Sequence, residues 1–190
     1  MNTPPAITSE AALAHPDPTA TITLRPLESR NLDQIKEWRN ELRQWTREWR
    51  FLNDDDQARW FQRVIRDERD RHIMFEIHDE CFDGLIGVGG ITPINWKDRS
   101  GEVSLYIGHR PALGGGCGTH ALAQIIRLGF RTMNLHRLTA EIYSYNATSL
   151  TLFKRLGFVE EGRLRESRWW DGAYYDSIML GLLASEYEVP

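Results

Sequence analysis

The stretch Val103-Ser-Leu-Tyr-Ile-Gly-His-Arg-Pro-Ala-Leu-Gly-Gly-Gly-Cys-Gly-Thr-His-Ala-Leu-Ala-Gln-Ile-Ile-Arg-Leu-Gly-Phe-Arg131 decides how the chain is read. Val103 to Gly108 is rich in β-branched, aliphatic and aromatic residues, which predicts a strand. His109, Arg110 and Pro111 end it. Gly114, Gly115, Gly116 and Gly118 then crowd into five positions. From Thr119 the pattern becomes helical: Ala121, Leu122, Ile125, Ile126, Gly129 and Phe130 share one face, while Gln124, Arg127 and Arg131 fall off it. A strand, a glycine loop and a helix N-terminus follow in that order. The first N–H groups of a helix lack intrahelical partners and carry partial positive charge, so this arrangement is a cradle for an anion, above all a phosphate.

Three phosphate ligands compete. A Walker loop needs Gly-Lys-Ser/Thr, and no lysine precedes Thr119. Gly116-Cys-Gly-Thr-His-Ala121 does fit the dinucleotide pattern G-x-G-x-x-A, with Glu141 about twenty residues further on. That pattern usually opens its domain, whereas several elements precede it here, and little chain follows Glu141. A nucleotide-dependent oxidoreductase remains the third reading.

The remaining ligand is acyl-CoA. Leu113-Gly-Gly-Gly-Cys-Gly-Thr119 resembles the R/Q-x-x-G-x-G/A loop of GNAT-superfamily N-acetyltransferases. Asn146-Ala-Thr-Ser-Leu-Thr-Leu-Phe-Lys-Arg-Leu-Gly-Phe158 resembles that family's N-x-x-[AS]-x-x-L-Y-x-K-x-G-F segment. Trp38-Arg39-Asn40 and Trp60-Phe61 resemble the Rim-type branch of ribosomal-protein acetyltransferases. The resemblance spans roughly residues 21–185. It departs from the family at Leu113, where an arginine or glutamine usually opens the loop, and at Phe153, where a tyrosine often serves as general acid.

The resemblance implies transfer of an acetyl group from acetyl-CoA, as co-substrate, directly to a primary amine: a protein N-terminus, an amino sugar or a small-molecule amine. A CoA-binding or sensing module without strong catalysis is the alternative that Leu113 and Phe153 keep open. The implied CoA site comprises Leu105, Tyr106 and Ile107, then Arg110, then Leu113, Gly114, Gly115, Gly116, Cys117, Gly118 and Thr119, with Asn146 and Phe153. A backbone N–H near Tyr106 or Ile107 would meet the developing oxyanion. The amine must lose a proton, and Glu102, in the strand that leads to the cradle, is the candidate base; His109 is another. Ser149, Tyr143 and Tyr145 are acid candidates, and Ser149 joins Glu102 in the expected catalytic set. Trp38, Arg39, Trp96 and Trp170 are the acceptor-site candidates. Arg163, Arg165 and Arg168 beside Trp169 and Trp170 would suit an anionic acceptor.

The chain of 190 residues predicts a single domain with a real core. A net charge of −4 and a pI near 5.9 argue against nucleic acid. No apolar run approaches a membrane span, and no secretory segment is seen, so a cytoplasmic protein is expected. Cys81 and Cys117 are too few for a disulfide scaffold, and the six histidines show no metal-ligand spacing. No metal, membrane or nucleic-acid partner is expected, and the protein is expected to be a monomer or homodimer.

Residues 1–20 read as a flexible tail, 21–185 as the acetyltransferase domain and 186–190 as its C-terminal end. Strands are predicted at 21–26, 72–78, 85–92, 102–108, 137–142, 158–170 and 174–183. Helices are expected after Asn31, after Asn53, from Thr119 and over 147–156, with Gly157 as a C-terminal cap. Trp45, Trp49 and Phe51 in the segment 41–51 either wall an acceptor site or pack on the sheet. Asp54, Asp55 and Asp56 read as a helix start more than a metal cluster. The crossover helix before Arg137 predicts parallel pairing of 102–108 with 137–142, while the other neighbours are hairpins. The result is an α+β (α/β) chain with a mixed, mostly antiparallel seven-stranded sheet and about four helices. In the GNAT fold it resembles, the two parallel strands splay at the cofactor site.

Overall fold

The structure, a computed structural model, describes residues 22–187. The expected tail over 1–20 and the last three residues of the expected end 186–190 lie outside the described residues. The elements run β1 (Thr23–Pro26), α1 (Leu32–Glu41), α2 (Asp54–Gln62), β2 (Ile73–Asp79), β3 (Gly84–Asn95), β4 (Ser100–Ile107), α3 (Cys117–Arg127), β5 (Arg137–Tyr143), α4 (Ala147–Arg155), β6 (Val159–Trp170) and β7 (Ala173–Leu183). They form the mixed sheet of seven strands that the sequence predicts, in the order β1-β2-β3-β4-β5-β7-β6. The pair β4–β5 is parallel and the other five are antiparallel. α3 is the crossover that allows the parallel pair.

Strand alternation sorts the side chains of β4 and β5 between two helical layers. Val103, Leu138, Ala140 and Ile142 enter the main core with Leu122, Ile125 and Ile126 of α3 and Phe153 of α4. Each fully buried Leu or Ile there contributes about 1.5–3 kcal/mol of transfer free energy. On the opposite face Ile35 of α1, Val64 after α2 and Val88 of β3 form a second cluster, against which Tyr106 packs. Glu102 and Ser104 share the face of Tyr106, and Glu141 and Tyr143 lie on one face of β5.

Two helix starts differ in an informative way. Asn53 accepts a bond from the Asp56 N–H at 2.8 Å, and Asp56 returns one from the Asn53 N–H at 3.3 Å, a capping box. The aspartates are thus accounted for by helix initiation and by ion pairs to Lys36 and Arg59. Asn31 also stands at a helix start, but its side chain makes no cap. Its amide instead donates to both oxygens of Glu76, at 2.9 Å each. Glu76 is buried, and a buried carboxylate without donors costs more than a missing cap.

α3 starts at Cys117, two residues before the expected Thr119, and continues past Arg127 as a π-turn over Leu128–Thr132. Gly157 follows α4 at φ 93°, as a C-terminal cap requires. No helix among the described residues is long and apolar enough to cross a membrane.

Candidate active site

β4 and β5 pair only at Ser100–Arg137, Gly101–Leu138 and Glu102–Thr139. Beyond that point the two strands run on without pairing to each other, β4 to Ile107 beside β3 and β5 to Tyr143 beside β7. The gap between them opens into a cleft of about 430 Å³, within the range of small-molecule sites. Its walls include Glu102, Leu105, Tyr106 and Ile107 from β4, Glu141 and Tyr143 from β5, Leu113 from the loop, and Asn146, Ser149 and Phe153 from α4. The backbone groups on the free edge of each strand are available to a ligand, which is the physical value of the splay.

At one end of the gap lies the glycine loop. Gly116 is the residue before α3, with φ 89°, and a methyl group added there would meet nothing within 4 Å. Backbone conformation, not crowding, therefore demands glycine at this position. No side chain caps α3, so its N-terminal N–H groups face outward with the dipole behind them. An uncapped helix end beside an open strand gap fits a ligand with a pyrophosphate and a long thin arm, as CoA has. Gly114 and Gly115 belong to this turn, while Gly118 and Thr119 lie in the first turn of α3. Arg110 is exposed and 3.9 Å from Glu41, outside the cleft walls. Cys117 is buried, its thiol 3.6 Å from Asp79, and burial with that carboxylate pushes it up to about 11.

At the other end stand the titratable groups. Nη2 of Arg47 donates to Glu102 Oε1 at 2.6 Å and to Glu141 Oε2 at 2.5 Å, and Nε of Arg47 reaches the same Glu141 oxygen at 3.2 Å. Burial pushes the Glu102 carboxyl above the ordinary glutamate value; Arg47 pulls it back in part and Glu141 adds to the rise. Burial also lifts Glu141, but hydrogen bonds from Ser177 and Arg47 outweigh it and hold Glu141 below the ordinary value. Two carboxylates with shifts of opposite sign are suited to different tasks, the raised one to taking up a proton and the lowered one to staying charged. Tyr143 and Tyr145 are raised by burial, and so keep their protons.

α4 supplies the third wall. Asn146 caps it, its Oδ1 accepting from the Ser149 N–H at 3.1 Å. Phe153 is buried against Phe158 with ring centroids 5.0 Å apart. Cleft and strand gap thus gather Glu102, Ser149, Leu105, Tyr106, Ile107, Leu113, Asn146 and Phe153.

The acceptor candidates are not brought together. Trp38 is buried beneath Gly108, where a Cβ would fall 2.1 Å from its indole ring. Arg39 donates to Gln57 at 2.7 Å and to Glu48 at 3.2 Å, with its guanidinium over Trp60. Trp96 caps the β3–β4 hairpin, at the end of β4 away from the cleft, and donates to the Asp70 carbonyl. Trp170 lies at the β6–β7 hairpin beneath Arg168. His109 packs edge-on to Phe82 at 5.6 Å and does not line the cleft. Of the aromatics over 41–51, Trp45 lines the cleft beside Tyr145, while Trp49 and Phe51 are exposed.

Arg47, and Glu141 as a cleft residue, were not legible as site residues. Glu141 had a usable signal: two positions past Thr139, the partner of Glu102, it must share a face with Glu102. Arg47 sits in an irregular segment with no periodicity to place it. Among the described residues no group of three or more His, Cys, Asp or Glu is placed to hold a metal ion.

The acetyltransferase (GNAT) domain family matches residues 21–159. A spermidine N(1)-acetyltransferase of Vibrio cholerae is 27% identical over 169 residues, covering 87% of this chain and 95% of the relative. A putative ribosomal N-acetyltransferase of Bacillus subtilis is 25% identical over 175 residues, covering 88% and 93%. Among solved structures, a V. cholerae spermidine N-acetyltransferase in complex with CoA and spermine superposes with a TM-score of 0.81 at 26% identity, covering 88% of this chain and 98% of that one.

Proposed function

Because this chain belongs to the GNAT acetyltransferase family, we propose that the β4–β5 cleft transfers the acetyl group of acetyl-CoA directly to a small-molecule primary amine, with Glu102 as the base. The acetyltransferase unit spans residues 21–185 and works in the cytoplasm as a monomer or homodimer. The observation that carries the reading is the pairing of β4 with β5, which stops at Glu102 and leaves an open strand edge between an uncapped helix and a carboxylate.

In this reading the N-terminus of α3 and its glycine turn hold the pyrophosphate, and the unpaired edge of β4 holds the pantetheine arm. A β4 backbone N–H near Tyr106 or Ile107 donates to the thioester oxygen as negative charge develops there. The neutral amine attacks the carbonyl carbon, a C–N bond forms, the C–S bond breaks, and CoA leaves as the thiolate. The proton released by the nitrogen passes to Glu102, directly or through one water. Ser149, a hydroxyl of α4 on the cleft wall, is the candidate acid, while Phe153 walls the channel. The spermidine N-acetyltransferases, aligned over nearly the whole domain, support small amines as the first acceptors to examine. The ribosomal branch, which Trp38-Arg39-Asn40 resembles, has the support of the B. subtilis relative, and keeps a protein N-terminus among the acceptors.

The test is a thiol-release assay with acetyl-CoA and a panel of spermidine, spermine, a monoamine, an amino sugar and a peptide with a free N-terminus, with products identified by mass spectrometry. Acetylation of at least one small amine is expected. CoA binding by calorimetry with no turnover of any amine would replace catalysis with the CoA-sensing reading.

A further inference from the structure

Arg47 follows α1 in a segment held from the far side of the cleft. The Tyr145 hydroxyl donates to the Gln44 carbonyl, the Tyr143 hydroxyl to the Thr46 carbonyl at 3.4 Å, and Nη2 of Arg168 to the Arg43 carbonyl at 2.9 Å. Three side chains thus fix the backbone that leads into Arg47, and its guanidinium lies between the two carboxylates. The sharing is unequal. Glu141 receives two N–H bonds from Arg47 and one bond from the Ser177 hydroxyl, whereas Glu102 receives a single N–H. The charged and titratable groups around Glu102 are Arg47 from the segment after α1, then Glu141 and Tyr143 from β5, with Arg168 of β6 behind them.

We propose that Arg47 is a positioning and specificity residue for the acetyl transfer. It holds Glu141 by two N–H bonds, aims Glu102 at the acceptor, and leaves these three groups, both carboxylates ionised, with one net negative charge. The inference rests on the acetyltransferase reading and narrows its substrate class. A cleft of this charge fits an amine with one positive charge at the reacting end. Without Arg47 two carboxylates would face each other, and the second ammonium of a polyamine would take the place of the guanidinium.

Arg47→Gln and Arg47→Lys test this, since the Arg47 side chain is 57% exposed and neither change opens the core. The first readout is the carboxyl titration of Glu102 by carbon NMR, assigned by its loss in Glu102→Gln. Glu102 should titrate at higher pH in Arg47→Gln than in the wild type, and return toward the wild-type midpoint in Arg47→Lys. An unchanged midpoint overturns the positioning role, whether or not any amine is acetylated.

The second readout is kcat/KM for spermine relative to propylamine. The ratio should rise by roughly two- to fivefold in Arg47→Gln, the scale of one partly exposed ion pair, and stay near wild type in Arg47→Lys. An unchanged ratio overturns the specificity role. A wild-type protein that acetylates no amine would refute the acetyltransferase reading, and the titration would still decide the place of Arg47.

Discussion

Glu102 and Glu141 stand on opposite lips of the splayed strands, and both accept from the same nitrogen, Nη2 of Arg47. Glu102 is three residues into β4 and pairs with Thr139; Glu141 lies two residues further along β5. The last parallel pair therefore sets the spacing of the two carboxylates. One is lifted by burial and the other held down by its hydrogen bonds, so the two carboxyls differ in proton affinity although they share a donor.

Glu102→Gln should lower kcat/KM by about 10²–10⁴ and leave CoA affinity within error. The loss should shrink as pH rises, because more amine arrives already neutral. Steady-state kinetics from pH 6 to 9.5 reads this; full activity in the variant would move the proton to a water chain.

The same substitution has a stability signature. Burial raises the folded-state pKa of Glu102, so the unfolded chain gives up that proton first as pH climbs. The protonated form contributes stability that is present below the ordinary glutamate pKa and lost as pH rises through the raised value. Relative to Glu102→Gln, the wild-type melting temperature should therefore fall across that interval. Parallel melting curves that stay equally spaced at every pH would contradict the burial effect.

Gly116→Ala and Gly116→Asp separate backbone strain from charge. Both place a side chain at φ 89°, which costs about 1–2 kcal/mol for an L-residue, and neither meets a neighbour within 4 Å at Cβ. Aspartate adds a negative charge at the helix N-terminus, which favours the helix but repels a pyrophosphate. The two variants should melt within a few degrees of each other, with CoA binding far weaker in Gly116→Asp by calorimetry. Equal CoA affinity in both would remove the pyrophosphate from this turn.

Phe153→Tyr should change kcat little. Phe153 is buried against Phe158 and forms channel wall, and a thiolate is a fair leaving group without an acid. A large gain in kcat would show that protonation of the leaving thiolate limits the rate.

Cys117 should resist alkylation by iodoacetamide at pH 7.5. Its thiol is buried and pushed up to about 11, so almost none is thiolate at that pH. Peptide mapping by mass spectrometry should find Cys117 unmodified in the folded protein and modified after denaturation. Rapid labelling in the folded state would mean that the start of α3 opens readily.

Much of the architecture was legible because it is local. The β4–loop–α3 stretch announces itself through a period of 2 giving way to a period of 3.6, with glycines between. The seven strands and four helices follow from the same periodicities and from turn residues such as Asp171-Gly172. The parallel pairing follows from the crossover helix. The place of Glu102 beside the strand gap was legible because it opens the strand that leads to the cradle.

What only the tertiary structure decided depends on distance in space between residues far apart in the chain. Arg47 meets Glu102 and Glu141 across separations of 55 and 94 residues, and no local pattern encodes such a meeting. Trp38 and Arg39 look like acceptor contacts by type, but the close approach of Gly108 buries one and Gln57 with Glu48 engages the other. Asn31 has the composition of a helix cap, and a buried Glu76, 45 residues away, claims its amide. Local propensities are worth about 1 kcal/mol or less, whereas an unpaired buried charge costs several, so where the two compete the long-range partner prevails.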